Sequence, residues 1–236
     1  MNAPLSLAAQ EQIFQAARTF NRYTEQSISD ATLHELYELM KWGPTAMNSQ
    51  PGRFIFLRSA EARQRLAPAL SPGNLEKTLA APVTVIVAQD TQFYEHLPTQ
   101  FSAYDARPVF ENNADAARAT AMRNSSLQGA YLIVAARMLG LDAGPMSGFD
   151  AAKVDAEFFP DGRCRANFLV NLGYGDPAGN YPRGPPAWPS TPRRKSSDRP
   201  AVAPRPRPRP GAAALTPAAA AWRHRPGPRP GPGRAG

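Results

Sequence analysis

The sequence predicts an α+β domain at residues 1–184 and a tail of different composition at residues 185–236. Three short apolar segments, at residues 53–58, 83–88 and 166–173, have the length of buried strands. Other, longer segments have apolar residues that recur every three or four positions, as in helices that pack on one face. This mixture of strands and helices defines the predicted class.

The tail differs from the domain in charge and in proline content. Residues 187–236 hold 11 of the 27 Lys and Arg residues, 12 of the 26 prolines and 1 of the 19 Asp and Glu residues, which is a net charge of +10. Residues 1–186 carry a net charge of −2, so the basic whole chain does not indicate that the domain binds nucleic acid. Because GC-rich codons encode Pro, Arg, Ala and Gly, we interpret the tail as a disordered frameshift product. A genuine basic tail is the alternative.

Cysteine usage and hydropathy exclude several classes of protein. The single cysteine, Cys164, allows neither an internal disulfide nor a cysteine-based zinc cluster, and no other metal site is indicated. The N-terminus has no secretory signal pattern, and no segment reaches the roughly 18 apolar residues of a membrane span. We therefore expect a soluble cytoplasmic protein.

The first helix is predicted from Leu7 to Phe20, with Ile13, Phe14 and Ala17 on one apolar face. Its end runs into the segment Arg18-Thr19-Phe20-Asn21-Arg22-Tyr23. Guanidinium groups and small polar side chains at a helix end are suited to binding an anion. A solvated helix end has the same composition, so both interpretations stay open.

A second helix is predicted from Ser29 to Lys41, because Ser29 can cap its start and Asp30 has a favourable charge there. Its apolar residues at helical spacing are expected to face the core. They are Leu33, Leu36, Tyr37 and Met40.

The loop after this helix spans Trp42 to Pro51. Pro44 and Pro51 stiffen its ends and deny it regular hydrogen bonding. Between them lie the small hydrogen-bonding residues Thr45, Asn48, Ser49 and Gln50. Such a loop is either a ligand contact or an ordinary polar connection.

The next segment alternates strands and helices. Residues 53–58 are apolar on both faces, which predicts a strand in the interior of a sheet, and residues 83–88 predict the central strand. Between them, residues 61–70 predict a short helix, and a helical turn places Asn74 and Lys77 on one side. That pair is either part of a site or simply exposed.

Residues 92–112 lack helix or strand periodicity but are rich in aromatic residues, which favours a lid over a site or a loosely packed excursion. The longest helix is predicted from Asp115 to Leu139, with a left-handed cap at Gly140. Its apolar stripe would let another helix approach closely. The stripe comprises Leu127, Ala130, Tyr131, Val134, Ala135 and Met138.

Two glycine-containing segments follow. Residues 144–150 are predicted to form a tight turn that exposes backbone N–H groups. The glycines at positions 173, 175 and 179 imitate part of a dinucleotide-binding fingerprint. Because Asp176-Pro177 stands where a helix should begin, we reject a Rossmann site.

Four separated motifs resemble the FMN-dependent nitroreductase family, and within it the malonic semialdehyde reductase branch of pyrimidine catabolism. The likeness covers residues 10–183. In family order, the motifs are Arg18-Thr19-x-Asn21, the loop from Pro44 to Pro51, Asn74-x-x-Lys77, and Pro145-Met146-Ser147-Gly148-Phe149-Asp150. The resemblance implies a three-layer fold with a mixed, mostly antiparallel central sheet flanked by helices, one of them long.

The resemblance also implies an FMN site. Arg18 and Thr19 would hold the phosphate or ribityl chain, and a backbone N–H from residues 145–148 would face flavin N5 or O4. Asn74 and Lys77 would face the N1/O2 edge, where a cation favours the anionic reduced flavin. No side chain is expected to be catalytic, because flavin N5 carries the hydride. The implied cofactor-binding residues are Arg18, Thr19, Asn21, Pro44, Thr45, Ala46, Asn48, Asn74, Lys77, Pro145, Met146, Ser147, Gly148 and Arg183.

Three positions depart from the family pattern. Asn21 stands where many relatives have Arg or Lys, and Ser147 stands where many have Glu. After a position like Arg183, the family continues with a further Arg and an arm that wraps the partner subunit. Here Gly184-Pro185-Pro186 leads into the tail instead.

The implied function is transfer of hydride from NADH or NADPH through FMN to a small electrophile, with reduction of malonic semialdehyde to 3-hydroxypropanoate as the specific expectation. The expected assembly is a homodimer with no membrane or nucleic-acid partner. Arg107 is a candidate clamp for the substrate carboxylate, although a solvated arginine is the alternative. A flavin-binding protein without turnover and a basic-tailed nucleic-acid binder are the competing functional classes.

Overall fold

A computed structural model describes residues 3–179, which contain four strands. They are β1 (Gly52–Leu57), β2 (Val83–Asp90), β3 (Asp142–Met146) and β4 (Cys164–Gly173). The strands form one sheet in the order β1-β2-β4-β3, and all three described pairings are antiparallel. Arg183 and the predicted tail lie outside the described residues.

Helices cover both faces of the sheet. They are α1 (Leu7–Gln10), α2 (Asp30–Met40), α3 (Ala60–Leu66), α4 (Pro72–Ala80), α5 (Leu97–Gln100), α6 (Arg107–Glu111), α7 (Ala114–Met138) and α8 (Ala151–Phe158). The apolar side chains of α2 and α7 pack in one cluster with one face of the sheet, and those of α3 and α8 pack in another cluster with the opposite face. The predicted α+β class and the long helix are confirmed. In the part of the chain that the structure describes, no helix has the length and hydropathy needed to cross a membrane.

Strand β2 is the centre of the fold, as predicted, and all eight of its residues are buried. Because successive strand residues point to opposite faces, Val85 and Val87 pack toward α2 and α7, whereas Ile86 and Ala88 pack toward α3 and α8. This mostly apolar strand therefore contributes side chains to both hydrophobic clusters.

Strand β1 is an edge strand among the described residues, so the prediction of an interior position is wrong there. It pairs with β2, and five of its six residues are only half-buried. Apolar residues on both faces of a strand show that both faces are covered, but they say nothing about its edges. That is why the pattern misled.

The first helix is shorter than predicted. After α1, a π-helical turn at Glu11–Gln15 ends the helical segment, well before Phe20. Ile13 is buried, but Phe14 is 64% exposed and does not share its face. The wider π-helical turn shifts the register that the regular helical spacing assumed.

Helix α2 begins where predicted, since Ser29 Oγ accepts a hydrogen bond from the Thr32 N–H at 3.0 Å. Leu36 and Met40 are buried, but Tyr37 is 47% exposed and is not a core residue. The outer side of α7 is also apolar, because much of its predicted stripe faces away from the sheet. We call the exposed residues Tyr37, Trp42, Leu127, Tyr131 and Met138 the outer apolar face.

The aromatic segment 92–112 is structured, so the prediction that it lacks helices is wrong. A 3₁₀ turn at Phe93–His96 leads into α5, and α6 follows. Prolines occupy the first turns of α5 and α6, where their missing N–H groups are not needed. Helices of four or five residues are too short to show a period. The segment buries Phe93, Leu97, Ala106 and Phe110 against Ala117 and Ala121.

Strand β3 and helix α8 were not predicted from the sequence. Gly144 lies in β3 and pairs with Asn171, so the predicted tight turn across residues 144–150 is wrong. Pro145 is tolerated in β3 because this strand lies at the other edge of the described sheet. By contrast, Gly140 has the predicted left-handed conformation, with φ of 77°, and the Leu141 N–H donates to the Ala136 carbonyl at 2.9 Å.

Gly129 lets α7 lie close to the sheet, because an added Cβ there would overlap the Phe168 ring and come within 3.2 Å of Val87. We expect Gly129→Leu to lower the free energy of unfolding by about 2–3 kcal/mol through overpacking. Gly73→Ala is the matched control, since its added Cβ would meet no atom of residues 3–179 within 4 Å. Urea denaturation followed by circular dichroism measures both; equal losses would contradict the overpacking explanation.

Candidate functional site

Two motifs that are far apart in the sequence meet at Gly148. The Asn74 side-chain amide donates to the Gly148 carbonyl at 2.8 Å, and the Ser71 N–H donates to the same oxygen at 3.1 Å. A Cβ at position 148 would lie 2.5 Å from Asn74 Nδ2. Glycine is therefore required for this close approach.

The first motif packs against β3 beside the same site. A Cβ on Gly144 would lie 3.3 Å from Thr19 Cγ2 and 3.6 Å from the Tyr23 hydroxyl. The Tyr23 hydroxyl is buried and has no hydrogen-bond partner within residues 3–179, and its pKa is raised mainly by burial and further by the negative charge of Asp142. Tyr23 is thus held as a neutral phenol.

An open cleft of about 470 Å³ joins the first motif to α4. Arg22 and Lys77 bring two positive charges to it, Glu76 brings one negative charge, and Asn21 of the first motif also lines it. Pro72 and Gly73 also line the cleft, so the N-terminal first turn of α4, with its partial positive charge, borders it. These features suit a phosphate group.

The cations of the cleft differ from those expected. Arg18 Nη1 donates to the backbone carbonyls of Gln15 at 2.8 Å and Ala17 at 2.6 Å, so this side chain caps the first helix. Arg22, which the family motif did not include, lines the cleft instead. Its position in the basic segment 18–23 was the only signal in the sequence.

The fourth motif, at residues 145–150, lies beside the contact between Asn74 and Gly148. Met146 is half-buried and its sulfur accepts a hydrogen bond from the Thr78 hydroxyl at 3.5 Å, whereas the side chains of Pro145 and Ser147 are exposed. Within the described residues, the backbone N–H groups of Ser147 and Gly148 have no hydrogen-bond acceptor. They remain available to a ligand, as the glycine-rich sequence predicted.

The loop before β1 has an unusual backbone. Met47, Asn48 and Gln50 have φ of 53°, 48° and 40°, in the left-handed region that non-glycine residues rarely adopt. Tertiary hydrogen bonds hold it there: the Ala46 N–H donates to Asn124 Oδ1 at 2.8 Å, and the Asn48 amide donates to the Gln100 carbonyl at 3.1 Å. Such over-determined strain is common at functional sites.

The structure does not bring this loop to the cleft within one subunit. Gly52, which follows the loop, pairs with Gln89 of β2, and Gln89 pairs with Arg165 of β4. Gly144, beside the cleft, pairs with Asn171 of the same strand β4. Six residues along β4 correspond to about 20 Å. The predicted site therefore falls into two separate parts, with Pro44, Thr45, Ala46 and Asn48 in one part and the other described residues near the cleft.

Arg107 is placed on α6, where its guanidinium Nη2 lies 2.9 Å from Glu111 Oε1. Both side chains are substantially exposed. The pair is a local interaction between successive turns of a helix. Arg107 lines neither part of the predicted site.

Comparison with known proteins identifies the family. The model described as "Nitroreductase family" matches residues 15–174. The chain belongs to the nitroreductase family. It is 61% identical over 181 residues to a Burkholderia lata protein, covering 77% of this chain and 93% of the relative, and 58% identical over 185 residues to a Xanthomonas oryzae protein, covering 78% and 94%. Each is named "Putative NADH dehydrogenase/NAD(P)H nitroreductase".

Solved nitroreductase structures share the fold. A Bacillus subtilis protein of the family gives a TM-score of 0.68 at 21% identity, covering 77% of this chain and 95% of that protein. A family protein from Exiguobacterium sibiricum, solved in complex with FMN, gives 0.65 at 20% identity, covering 78% and 96%. This chain is therefore a nitroreductase-family enzyme, an oxidoreductase. These names do not specify the malonic semialdehyde reductase branch, which stays a prediction.

Proposed function

We propose that the protein is an FMN-dependent oxidoreductase that uses NADH or NADPH to reduce a small electrophile. The carrying observation is the cleft at which Asn21, Arg22 and Lys77 meet the positive end of α4. The names of the Burkholderia and Xanthomonas relatives and the FMN complex of the Exiguobacterium protein support this proposal.

The residues around the cleft fit FMN. Arg22 and Lys77 would compensate the phosphate and the negative charge that develops on reduction, and the N–H groups of Ser147 and Gly148 would donate hydrogen bonds to the isoalloxazine edge. Asn74, fixed by its bond to the Gly148 carbonyl, would set the position of that edge. When bound, FMN supplies the hydride-transfer chemistry, which explains why no catalytic side chain is needed.

The deciding experiment is to purify the full-length protein, record its visible spectrum, and extract and identify any flavin. Bound FMN with NADH or NADPH oxidation supports the proposal. Bound FMN without oxidation would favour a flavin-binding protein without turnover. If the protein carries no flavin and takes up none, the proposal fails.

A homodimer would complete this site. The loop of residues 42–51 lies far from the cleft of its own subunit, and we propose that the loop of a second copy covers the cofactor. The outer apolar face supports this arrangement, because Trp42 is 77% exposed and Tyr131, 42% exposed, packs beside Gly43. Monomeric proteins rarely expose large contiguous apolar patches.

Leu127→Glu tests the dimer, because it places a charge on the outer apolar face, where Leu127 is 44% exposed. We expect the wild type to be dimeric at low micromolar concentration and the variant to be monomeric with weakened FMN binding, since an obligate interface buries more than about 2,000 Å². Val109→Glu is the control, because Val109, on α6, is similarly exposed at 50% and is not part of the outer apolar face. Light scattering that gives a monomer mass for the wild type would refute the dimer.

For the substrate, we propose malonic semialdehyde, with 3-hydroxypropanoate as product, and Arg107 as the carboxylate clamp. Because Arg107 does not line the cleft of its own subunit, it would contact the substrate from the second copy and would exchange its Glu111 partner for the substrate carboxylate. Arg107→Ala is expected to lower kcat/KM for the semialdehyde about tenfold and to leave kcat/KM for an uncharged nitroarene unchanged. An unchanged kcat/KM for the semialdehyde would rule out the clamp.

The tail proposal concerns residues 185–236, which lie outside the described residues. The relatives from Burkholderia and Xanthomonas match 77% and 78% of this chain, which leaves a segment about as long as the tail unmatched. We propose that this end results from a frameshift. Reading the coding DNA in the other two frames tests it: an apolar arm with a further Arg would support the proposal, and a failure to find one would favour a genuine basic tail.

A further inference from the structure

A second concave site lies between the start of α7 and the end of β2, and no residue that lines it also lines the cofactor cleft. Its volume is about 370 Å³, which is in the range of small-molecule pockets. We call it the Gln89 cavity. Its lining residues are Gln89, Thr91, Tyr94, Phe110, Glu111, Ala114, Ala117, Arg118, Ala121 and Arg165.

The side chain of Gln89 is the unusual feature of this cavity. Gln89 is 6% exposed, and its Oε1 is buried without a hydrogen-bond partner among the described residues. Because strand residues alternate, Gln89 lies on the same face of β2 as Val85 and Val87, which is the face that α7 covers. A buried, unpaired amide costs stability unless something supplies its partner.

Part of the lining of the cavity is apolar and closely packed. Phe110, Ala117 and Ala121 are each at most 5% exposed, and the Phe110 ring makes an edge contact with Phe93 at a centroid distance of 5.0 Å. The small alanine side chains of α7 leave the space, and Phe110 offers an aromatic surface. A planar ring is the shape that such a wall accommodates.

Charges at the rim are not equally available. Arg165 lies 3.4 Å from Asp155, and Glu111 lies 2.9 Å from Arg107, so each of these has a partner. Among the described residues, the one acidic partner of Arg118 is Asp115 at 4.0 Å, the outer limit of an ion pair, and the Arg118 side chain is 76% exposed. Arg118 is the guanidinium that can turn to an anionic ligand at the rim.

We propose that the Gln89 cavity binds a small aromatic carboxylic acid that also carries a hydroxyl group. The ring lies against Phe110 and the alanines of α7, and the carboxylate pairs with Arg118. Gln89 Oε1 is buried in the ligand-free protein, so the side-chain amide rotates to turn this oxygen into the cavity, where it accepts a hydrogen bond from the ligand hydroxyl. This site does not depend on the cofactor cleft, so the protein carries it whether or not the proposed FMN function holds.

Calorimetric titration of the FMN-treated full-length protein with 4-hydroxybenzoate tests the site. Benzoate lacks the hydroxyl, and 4-hydroxybenzyl alcohol lacks the charge, so the three compounds separate the two polar contacts. We expect saturable binding of 4-hydroxybenzoate, with about tenfold weaker binding of each analogue, because each loses one hydrogen bond or ion pair.

Two variants assign the contacts. Gln89→Leu should weaken 4-hydroxybenzoate about tenfold and leave benzoate unchanged, whereas Arg118→Gln should weaken both acids and leave the alcohol unchanged. Arg123→Gln, an exposed arginine elsewhere on α7, is the matched control and should change nothing. No saturable binding of 4-hydroxybenzoate, or equal binding by all variants, would overturn the proposal.

A measurement without ligand checks the unpaired amide independently. Since leucine is close to glutamine in size and has no polar atom to satisfy, Gln89→Leu should raise the melting temperature of the ligand-free protein. A fall in melting temperature would show that the amide has a partner in solution, and it would remove the basis for the site.

Discussion

Asp90→Ala is expected to lower the free energy of unfolding by about 3 kcal/mol, because it removes the buried carboxylate that pairs with Arg53 and Arg163 and leaves Arg163, among the described residues, only its pair with Glu95. Asp90 is 1% exposed at the end of β2. Its carboxylate lies 2.7 Å from Arg53 Nη2 and 3.1 Å from Arg163 Nε. The same carboxylate accepts a hydrogen bond from the Gln92 N–H at 2.9 Å.

This network fastens the end of the central strand to its neighbours. Arg53 lies on β1, and Arg163 directly precedes β4, so one carboxylate ties three strands together. The hydrogen bond that Arg163 donates to Asp90 raises the pKa of Arg163. Because both arginines are about one-third exposed, the expected loss is at the lower end of the range for buried pairs.

The control is an ion pair at the surface. Arg65 Nε lies 2.6 Å from Glu157 Oε1, and both side chains are about half exposed. Glu157→Ala should therefore cost less than about 1 kcal/mol. Urea denaturation at pH 7 measures both variants, and a loss at Asp90 no larger than the loss at Glu157 would contradict the role given to the network.

The double variant Arg22→Ala/Lys77→Ala is expected to weaken FMN binding about a hundredfold or more, with each single variant losing at least about tenfold. Both cations line the cleft, and each would make a charge-assisted contact to the bound cofactor. Fluorescence titration of the apoprotein with FMN measures the dissociation constants.

Glu76 provides a test of opposite sign, because it brings the negative charge of the same cleft. Glu76→Gln should tighten FMN binding, and Lys153→Ala, on α8 and not among the residues that line the cleft, should not change it. If loss of Arg22 and Lys77 left the dissociation constant unchanged, the cleft would not be the cofactor site, even if the protein contained flavin.

Elements with strong local signals could be predicted from the sequence. The continuous apolar run of β2, the serine cap of α2 and the left-handed Gly140 are each specified by a few neighbouring residues. Short elements were not predicted. Strand β3 and helix α6 have five residues each, and five residues are fewer than two turns of a helix, so α6 shows no helical period. The four family motifs and their order along the chain were also recognised from the sequence alone.

The sequence by itself determined the α+β class, the central strand, the long helix and the family. Only the tertiary structure decided that Arg18 caps a helix while Arg22 lines the cleft, that β1 is an edge strand among the described residues, and that Gln89 is buried without a partner. Local sequence patterns predict whether a residue is buried, caps a helix or lies in a turn. They do not predict which distant group a residue contacts. That depends on how the layers pack, because hydrogen bonds and ion pairs form between groups that the fold brings within a few ångströms.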